Sequence, residues 1–156
     1  MVDSGPVPSS TWRGFLANQA PDIYAFDLTT QVMWDYSICY VLVVLELRTR
    51  RVVHINVTRS PSLEWVKQQI RDACPWDGPK FLLHDNDGIF GQFRTTRPHR
   101  SALDEWLSQV MGIRGIPIPY GAPDANAHCE RFMLTLKSEC LNHFIFRSEA
   151  HLRRTA

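Results

Sequence analysis

The sequence predicts an α/β protein with a mixed sheet and helices on both of its faces. Three observations lead there. Three strand-like segments rich in Val, Ile, Leu, Tyr and Phe follow one another before residue 60. Beyond residue 60, helix-period segments alternate with short apolar ones. The chain, at 156 residues and 44% hydrophobic, is the size of one domain with a sizeable core. An antiparallel unit that passes into alternating βα units gives a mixed sheet.

The elements read in order as follows. Residues 1–11 form a flexible N-terminal tail, and 12–156 one folded core. The stretch STWRGFLANQAPD holds a short helix, capped by Ser10 or Thr11 and ended by Pro21. DIYAFDLT is a short strand that ends on Asp27. SICYVLVVLEL is a central strand, RTRR a tight polar connection, and VVHINVT the second arm of an antiparallel hairpin. Ser60 and Pro61 start a helix in which Leu63, Val66, Ile70 and Ala73 recur at helical spacing, and PWDGP breaks it. KFLLHD is short and nearly all apolar before its end, the pattern of a strand buried on both faces. After the loop GQFRTTRPHR, SALDEWLSQVM is a helix with Leu103, Leu107, Val110 and Met111 on its apolar side and Gly112 just past its end. IRGIPIPY is a short strand limited by prolines, and GAPDANAHCERFMLTLKSECL is mostly helix from near Pro123 or Asp124.

Composition excludes several classes. With 17 Lys+Arg against 16 Asp+Glu and a formal net charge of +1, the chain is not a globally basic nucleic-acid binder; any such contact must come from local patches. Cys39, Cys74, Cys129 and Cys140 are far apart and form no CxxC pair, which speaks against structural zinc and for reduced thiols in a cytosolic protein. The first residues lack the apolar segment of a secretory signal, and the longest apolar run, ICYVLVVLEL, is too short to span a bilayer as a helix.

The stretch FLLHDNDGIF, residues Phe81 to Phe90, raises the question of chemistry: an apolar strand ends in paired carboxylates. Asp85 ends the fourth strand, and Asp27 ends the first. If those strands are parallel neighbours, both acids lie at the sheet edge where open α/β sheets place ligands. Glu130 sits on the last long helix, which can cross that edge. Carboxylates drawn together repel, and a divalent cation compensates them. Oxygen donors of this kind suit Mg²⁺ or Mn²⁺. Taken singly, each acid is more simply a turn or cap residue.

The residues around these acids carry a resemblance. The segments FDLT, HDNDGIF and ANAHCERF, with TLKSECLNH following, resemble the catalytic core of the DDE integrase and transposase superfamily, most closely the cores of bacterial insertion-sequence transposases with a retroviral-integrase-type core. The resemblance runs from WRGFLANQAPDIYAFDLTT to the end of the chain. It implies an RNase H-like fold, a five-stranded mixed sheet with strands 1–3 antiparallel and strands 4 and 5 parallel to strand 1, flanked by helices. It assigns the catalytic and metal-binding carboxylates to Asp27, Asp85 and Glu130. The intervals are 57 residues between Asp27 and Asp85 and 44 between Asp85 and Glu130, the second longer than the compact form of the motif, and the GQFRTTRPHR loop accounts for the excess. The implied activity is DNA integration and transposition: Mg²⁺- or Mn²⁺-dependent 3′-end strand cleavage and strand transfer, with two ions when DNA is bound. The implied partners are DNA and a second copy of the chain in a dimer or higher assembly, and the implied location is the bacterial cytoplasm, at the nucleoid.

The same resemblance nominates DNA contacts. Lys137 follows Glu130 by seven residues, so both share a helix face about 10.5 Å apart, where the family often places a phosphate-binding base; a solvated lysine is the plainer reading. Arg131 is a further DNA contact on that helix. Asn126 either orients Glu130, bonds DNA or caps the helix. Arg94, Arg97 and Arg100, with His99, make a basic loop that contacts phosphates or is simply solvated. Asp87 is either a second ligand or, as the family pattern has it, turn chemistry with Gly88, and His84 either approaches substrate or is a partly buried structural histidine. His128 and Cys129 lack further zinc ligands at the right spacing. The chain also departs from the family pattern. No helix-turn-helix pattern precedes the core, and HLRRTA stops short of the usual helical continuation, so the core reads as truncated. The competing reading is therefore a catalytically incompetent core that binds DNA or oligomerises.

Overall fold

The computed structural model describes residues 14, 20–74, 78–85, 87–90, 101–118 and 127–156. Five strands form one sheet: β1 (Ile23–Val32), β2 (Ile38–Glu46), β3 (Arg51–Thr58), β4 (Phe81–His84) and β5 (Arg114–Pro117). Their order across the sheet is β3-β2-β1-β4-β5. The first three pair antiparallel, β4 joins β1 in parallel, and β5 joins β4 in parallel. This is the mixed five-stranded sheet expected from the sequence.

Neighbouring residues of the central strands serve two different cores. Along β2, Val41, Val43 and Leu45 face one apolar layer, and Leu42 and Val44 face the other. All five are at most 2% exposed. A strand buried on both faces loses the usual apolar–polar alternation, which is why this segment reads as a continuous run. β1 divides likewise, Ile23 and Ala25 to the first layer and Phe26 to the second, and β4 sends Leu83 to the first and Leu82 to the second.

Helices close both layers. α1 (Leu63–Ala73) buries Val66, Ile70 and Ala73 in the second layer. Its N-cap is Ser62, whose hydroxyl accepts the Trp65 N–H at 3.2 Å. The cap thus falls two residues later than Ser60, because Ser62 has the extended backbone that a cap requires and Pro61 precedes it. α2 (Ala102–Trp106) runs on through a wider π-turn, Leu107–Met111, and ends at Gly112, whose φ of 67° is left-handed. Leu103 and Leu107 complete the second layer. On the other face, α3 (Ala127–Glu139) contributes Met133 and Leu136, and α4 (Glu149–Thr155) contributes Leu152. Between these last two helices, Leu141 and Phe146 are also fully buried. The helix expected over residues 10–22 lies outside the described residues except for Gly14, which is helical, and a 3₁₀ turn at Ala20–Asp22.

β1 is longer than expected. It continues five residues past Asp27 to Val32, because β2 goes on pairing with it, from Leu28 opposite Leu42 to Val32 opposite Ile38. Only its parallel partner stops early. Asp27 therefore sits inside the strand and not at its end.

Leu82 is fully buried in the strand beside β1. Leu82→Ala should lower the unfolding free energy by about 3 kcal/mol, read from urea denaturation; a loss under about 1 kcal/mol would contradict the double-layered core.

Candidate active site

The parallel pairing of β1 and β4 fixes two of the three acids. Ile23, Tyr24 and Ala25 stand opposite Phe81, Leu82 and Leu83. Asp27 and Asp85 each lie two residues beyond the last of these pairs, at the same step along neighbouring strands. Side chains alternate along a strand, so Asp27 shares a face with Ile23 and Ala25, and Asp85 with Leu83. That face is the layer covered by α3. Both acids are half-buried. The Leu28 N–H donates to Asp27 Oδ1 at 2.8 Å, and the Asp87 N–H to Asp85 Oδ1 at 3.3 Å.

The third acid comes from the helix. Glu130 is exposed on the first turn of α3, one turn before Met133 enters the core. Asp27 senses the whole group. Burial pushes its carboxyl up, from 3.8 to about 6, against the Leu28 hydrogen bond; Asp85 and Glu130 push it further, and Lys137 opposes them. Asp85 is also raised, first by burial and then by Asp87, against the Asp87 N–H and His84. The three acids and Lys137 thus share one electrostatic neighbourhood. Among the described residues, no three acid, His or Cys side chains stand in a finished metal-binding arrangement. The donor set is oxygen only, the type that suits Mg²⁺ or Mn²⁺.

The other nominated residues separate into groups. Lys137 is half-buried on the Glu130 side of α3. Arg131 is exposed, about 100° around the helix from Glu130. It lines a cavity of about 170 Å³ with Leu45, Leu47, Arg50 and Thr135, beside the β2–β3 turn. Asn126, Arg94, Arg97 and Arg100 lie outside the described residues.

Asp87 has the turn role expected of it. Its side chain accepts the Ile89 N–H at 2.9 Å and its carbonyl the Phe90 N–H at 3.1 Å, closing the 3₁₀ turn Gly88–Phe90. His84 differs from expectation in degree: it is 1% exposed and not merely half-buried. Its Nε2 lies 2.9 Å from Asp104 Oδ1. Asp104, 5% exposed, is a buried acid that the sequence reading missed. Its signal was present in SALD, a serine followed three residues later by an acid, the pattern of a capping box. The Ser101 hydroxyl accepts the Asp104 N–H, and Asp104 Oδ2 accepts the Ser101 N–H at 3.0 Å. Cys39, Cys74 and Cys140 carry free thiols, and burial pushes that of Cys74 up to about 12, far from reactive.

Comparison with solved structures identifies the architecture. The catalytic domain of the Mos1 mariner transposase superposes with a TM-score of 0.64 at 14% identity, over 99% of this chain and 82% of that one. An integrase chain in the intasome of simian T-cell lymphotropic virus gives 0.60 at 13% identity, over 76% of this chain. The present chain spans 39% of that integrase. The catalytic core domain of BIV integrase gives 0.54 at 19% identity, over 76% of this chain and 68% of the domain. The fold is that of integrase and transposase catalytic cores. The RNase H-like expectation is met in strand number, order and direction. No protein-family model matches the sequence, and no curated protein sequence matches it. Among the described residues, no helix is long and apolar enough to cross a membrane.

The raised carboxyl of Asp27 has a stability consequence. The folded state holds the Asp27 proton up to about pH 6, whereas the unfolded chain releases it near 3.8. Its contribution is therefore favourable at low pH and is lost as pH rises through about 6. Asp27→Asn should match wild type below pH 4 and exceed it by about 2 kcal/mol at pH 7.5, a rough value discounted for water reaching a half-buried group. The gap should open between pH 4 and 6 in denaturant titrations without divalent metal. A gap constant across that range would mean that Asp27 is not strained.

Proposed function

We propose that this chain is the catalytic core of a DNA integrase or transposase, a divalent-metal-dependent polynucleotidyl transferase using Asp27, Asp85 and Glu130. One observation carries the reading: Asp27 and Asp85 stand at the same step of adjacent parallel strands, and Asp27, raised first by burial, also feels Asp85 and Glu130. A fold shared with integrase and transposase cores supports it.

The chain's own residues divide the work. Asp27 and Asp85, held by the sheet, supply fixed carboxylates, and Glu130 supplies the third from α3. Together they would hold Mg²⁺ or Mn²⁺, one or two ions. Such ions polarise the scissile phosphate, lower the pKa of the attacking water or 3′-OH and stabilise the leaving oxygen. Lys137, on the same side of α3, presents a cation for a DNA phosphate. The reaction is in-line displacement: water cuts one strand and exposes a 3′-OH, which then attacks a phosphodiester of the target. No Ser, Cys or Tyr nucleophile is required. The assembly is a pair of chains on two DNA ends, held largely through the DNA backbone, so binding should weaken steeply with salt.

Asp85→Asn should abolish Mn²⁺-dependent nicking and joining of labelled duplex DNA, by at least about 100-fold, while the circular dichroism spectrum is retained. Cleavage that persists in Asp85→Asn would sink the assignment. Mn²⁺-independent DNA binding with no cleavage in wild type would favour instead a core acting only as a binding or assembly module.

A further inference from the structure

Directly behind Asp85 lies a buried group of side chains that the proposed chemistry does not use. His84 Nδ1 stands 2.6 Å from the main-chain oxygen of Asp85, and its Nε2 stands 2.9 Å from Asp104 Oδ1. Both partners are oxygens, so the two ring nitrogens bridge the Asp85 main chain and the Asp104 carboxyl. Asp104 Oδ2 is engaged in turn by the Ser101 hydroxyl at 2.9 Å and the Ser101 N–H at 3.0 Å. His84, Asp104 and Ser101 are 1%, 5% and 2% exposed. The ring also stacks on Phe26, the residue before Asp27, with centroids 5.7 Å apart, and meets Phe90 edge-on at 5.4 Å. One imidazole therefore touches the main chain of one acid and the neighbour of the other.

The packing around the pair leaves it no freedom. Gly115 of β5 stands beside β4, opposite Leu82. A Cβ added there would fall 2.0 Å from Asp104 Oδ1 and 3.2 Å from Leu107 Cδ1. β5 thus holds a glycine where the buried carboxylate needs space. A buried polar pair is weak as a source of stability, since desolvation offsets most of its attraction. Replacing it by apolar side chains would fill the same volume at less cost. Its geometry points to a different use.

We propose that the His84–Asp104 pair is the positioning device of the metal site: anchored by Ser101 and seated on Gly115, it clamps the main chain of Asp85 so that the carboxylate meets Asp27 at the sheet edge. The proposal rests on the metal-binding reading of Asp27 and Asp85. His84 and Asp104 act through Asp85 and touch no substrate. Outer partners of this kind typically contribute 10- to 100-fold to metal affinity or activity.

The test is Mn²⁺ binding by calorimetry at fixed pH, with the thermal midpoint of each metal-free protein alongside. His84→Gln keeps a donor for Asp104 but releases the Asp85 carbonyl. Asp104→Asn replaces one of the two oxygens that serve His84 and Ser101 separately, and Gly115→Ala displaces Asp104 without altering its chemistry. Each should stay folded below its midpoint and bind Mn²⁺ about 10- to 100-fold more weakly. Leu107→Ala, a cavity in the same wall, should lower the midpoint but leave Mn²⁺ affinity within about twofold. The proposal fails if folded His84→Gln and Asp104→Asn bind like wild type. It fails equally if Leu107→Ala weakens binding as much as they do, since the pair would then merely hold the fold together. Wild-type protein that binds Mn²⁺ no better than Asp27→Asn overturns the metal reading itself, and the clamp with it, on two proteins in which His84 is untouched.

Discussion

The parallel contact between β1 and β4 is the constraint on which the rest of the molecule depends. Three residue pairs make it, Ile23 to Ala25 against Phe81 to Leu83. Those pairs set the step at which Asp27 and Asp85 stand, and through side-chain alternation they set the face. A slip of one residue would send one acid to the α1–α2 layer and the other to the α3 layer. The slip is prevented by the cores themselves. Ile23, Ala25 and Leu83 belong to one apolar layer, and Phe26 and Leu82 to the other, all fully buried. Moving any of them across the sheet would expose several large apolar side chains and bury the acids in their place. The hydrophobic effect thus places two charges that electrostatics alone would drive apart.

β1 performs two tasks with its two edges. On one it is a long antiparallel arm, paired with β2 from Tyr24 to Val32. On the other it offers only a short parallel stretch, after which β4 stops and the chain turns away through Asp87 and Gly88. The long edge holds Asp27 in extended backbone while the short edge opens space beside it. This division explains why Asp27 is only half-buried in the middle of a strand whose neighbours Ala25 and Phe26 are completely covered.

Much of this was legible in the sequence, because it depends on local pattern. The run through Val41–Leu45 announced a central strand, and the periodicity of Leu63, Val66, Ile70 and Ala73 announced α1. The apolar run of KFLLHD announced β4, which ends at His84, one residue before the Asp85 expected to end it. The end of β1 was misplaced for the opposite reason. Beyond Asp27 the sequence reads Leu-Thr-Thr-Gln-Val, polar enough to suggest a turn, and only the continued pairing with β2 keeps it in the sheet. The His84–Asp104 pair was less legible still. Each residue had a local explanation, a strand-end histidine and a helix-capping acid, and the contact between them spans 20 residues of sequence. A capping box marks where a helix starts, not what else its acid reaches.

The three acids are not held alike, and the difference has a direction. Asp27 and Asp85 belong to strands locked by two cores, and the Asp85 main chain is further bonded to a buried ring. Glu130 extends from a helix whose Met133 and Leu136 enter the core, and it remains exposed. On the metal-dependent reading, the sheet provides a fixed two-carboxylate seat and the helix provides the adjustable arm. Burial is the main cause of the raised Asp27 carboxyl, with Asp85 and Glu130 adding to it. A cation held by these acids would offset the part that comes from their mutual repulsion.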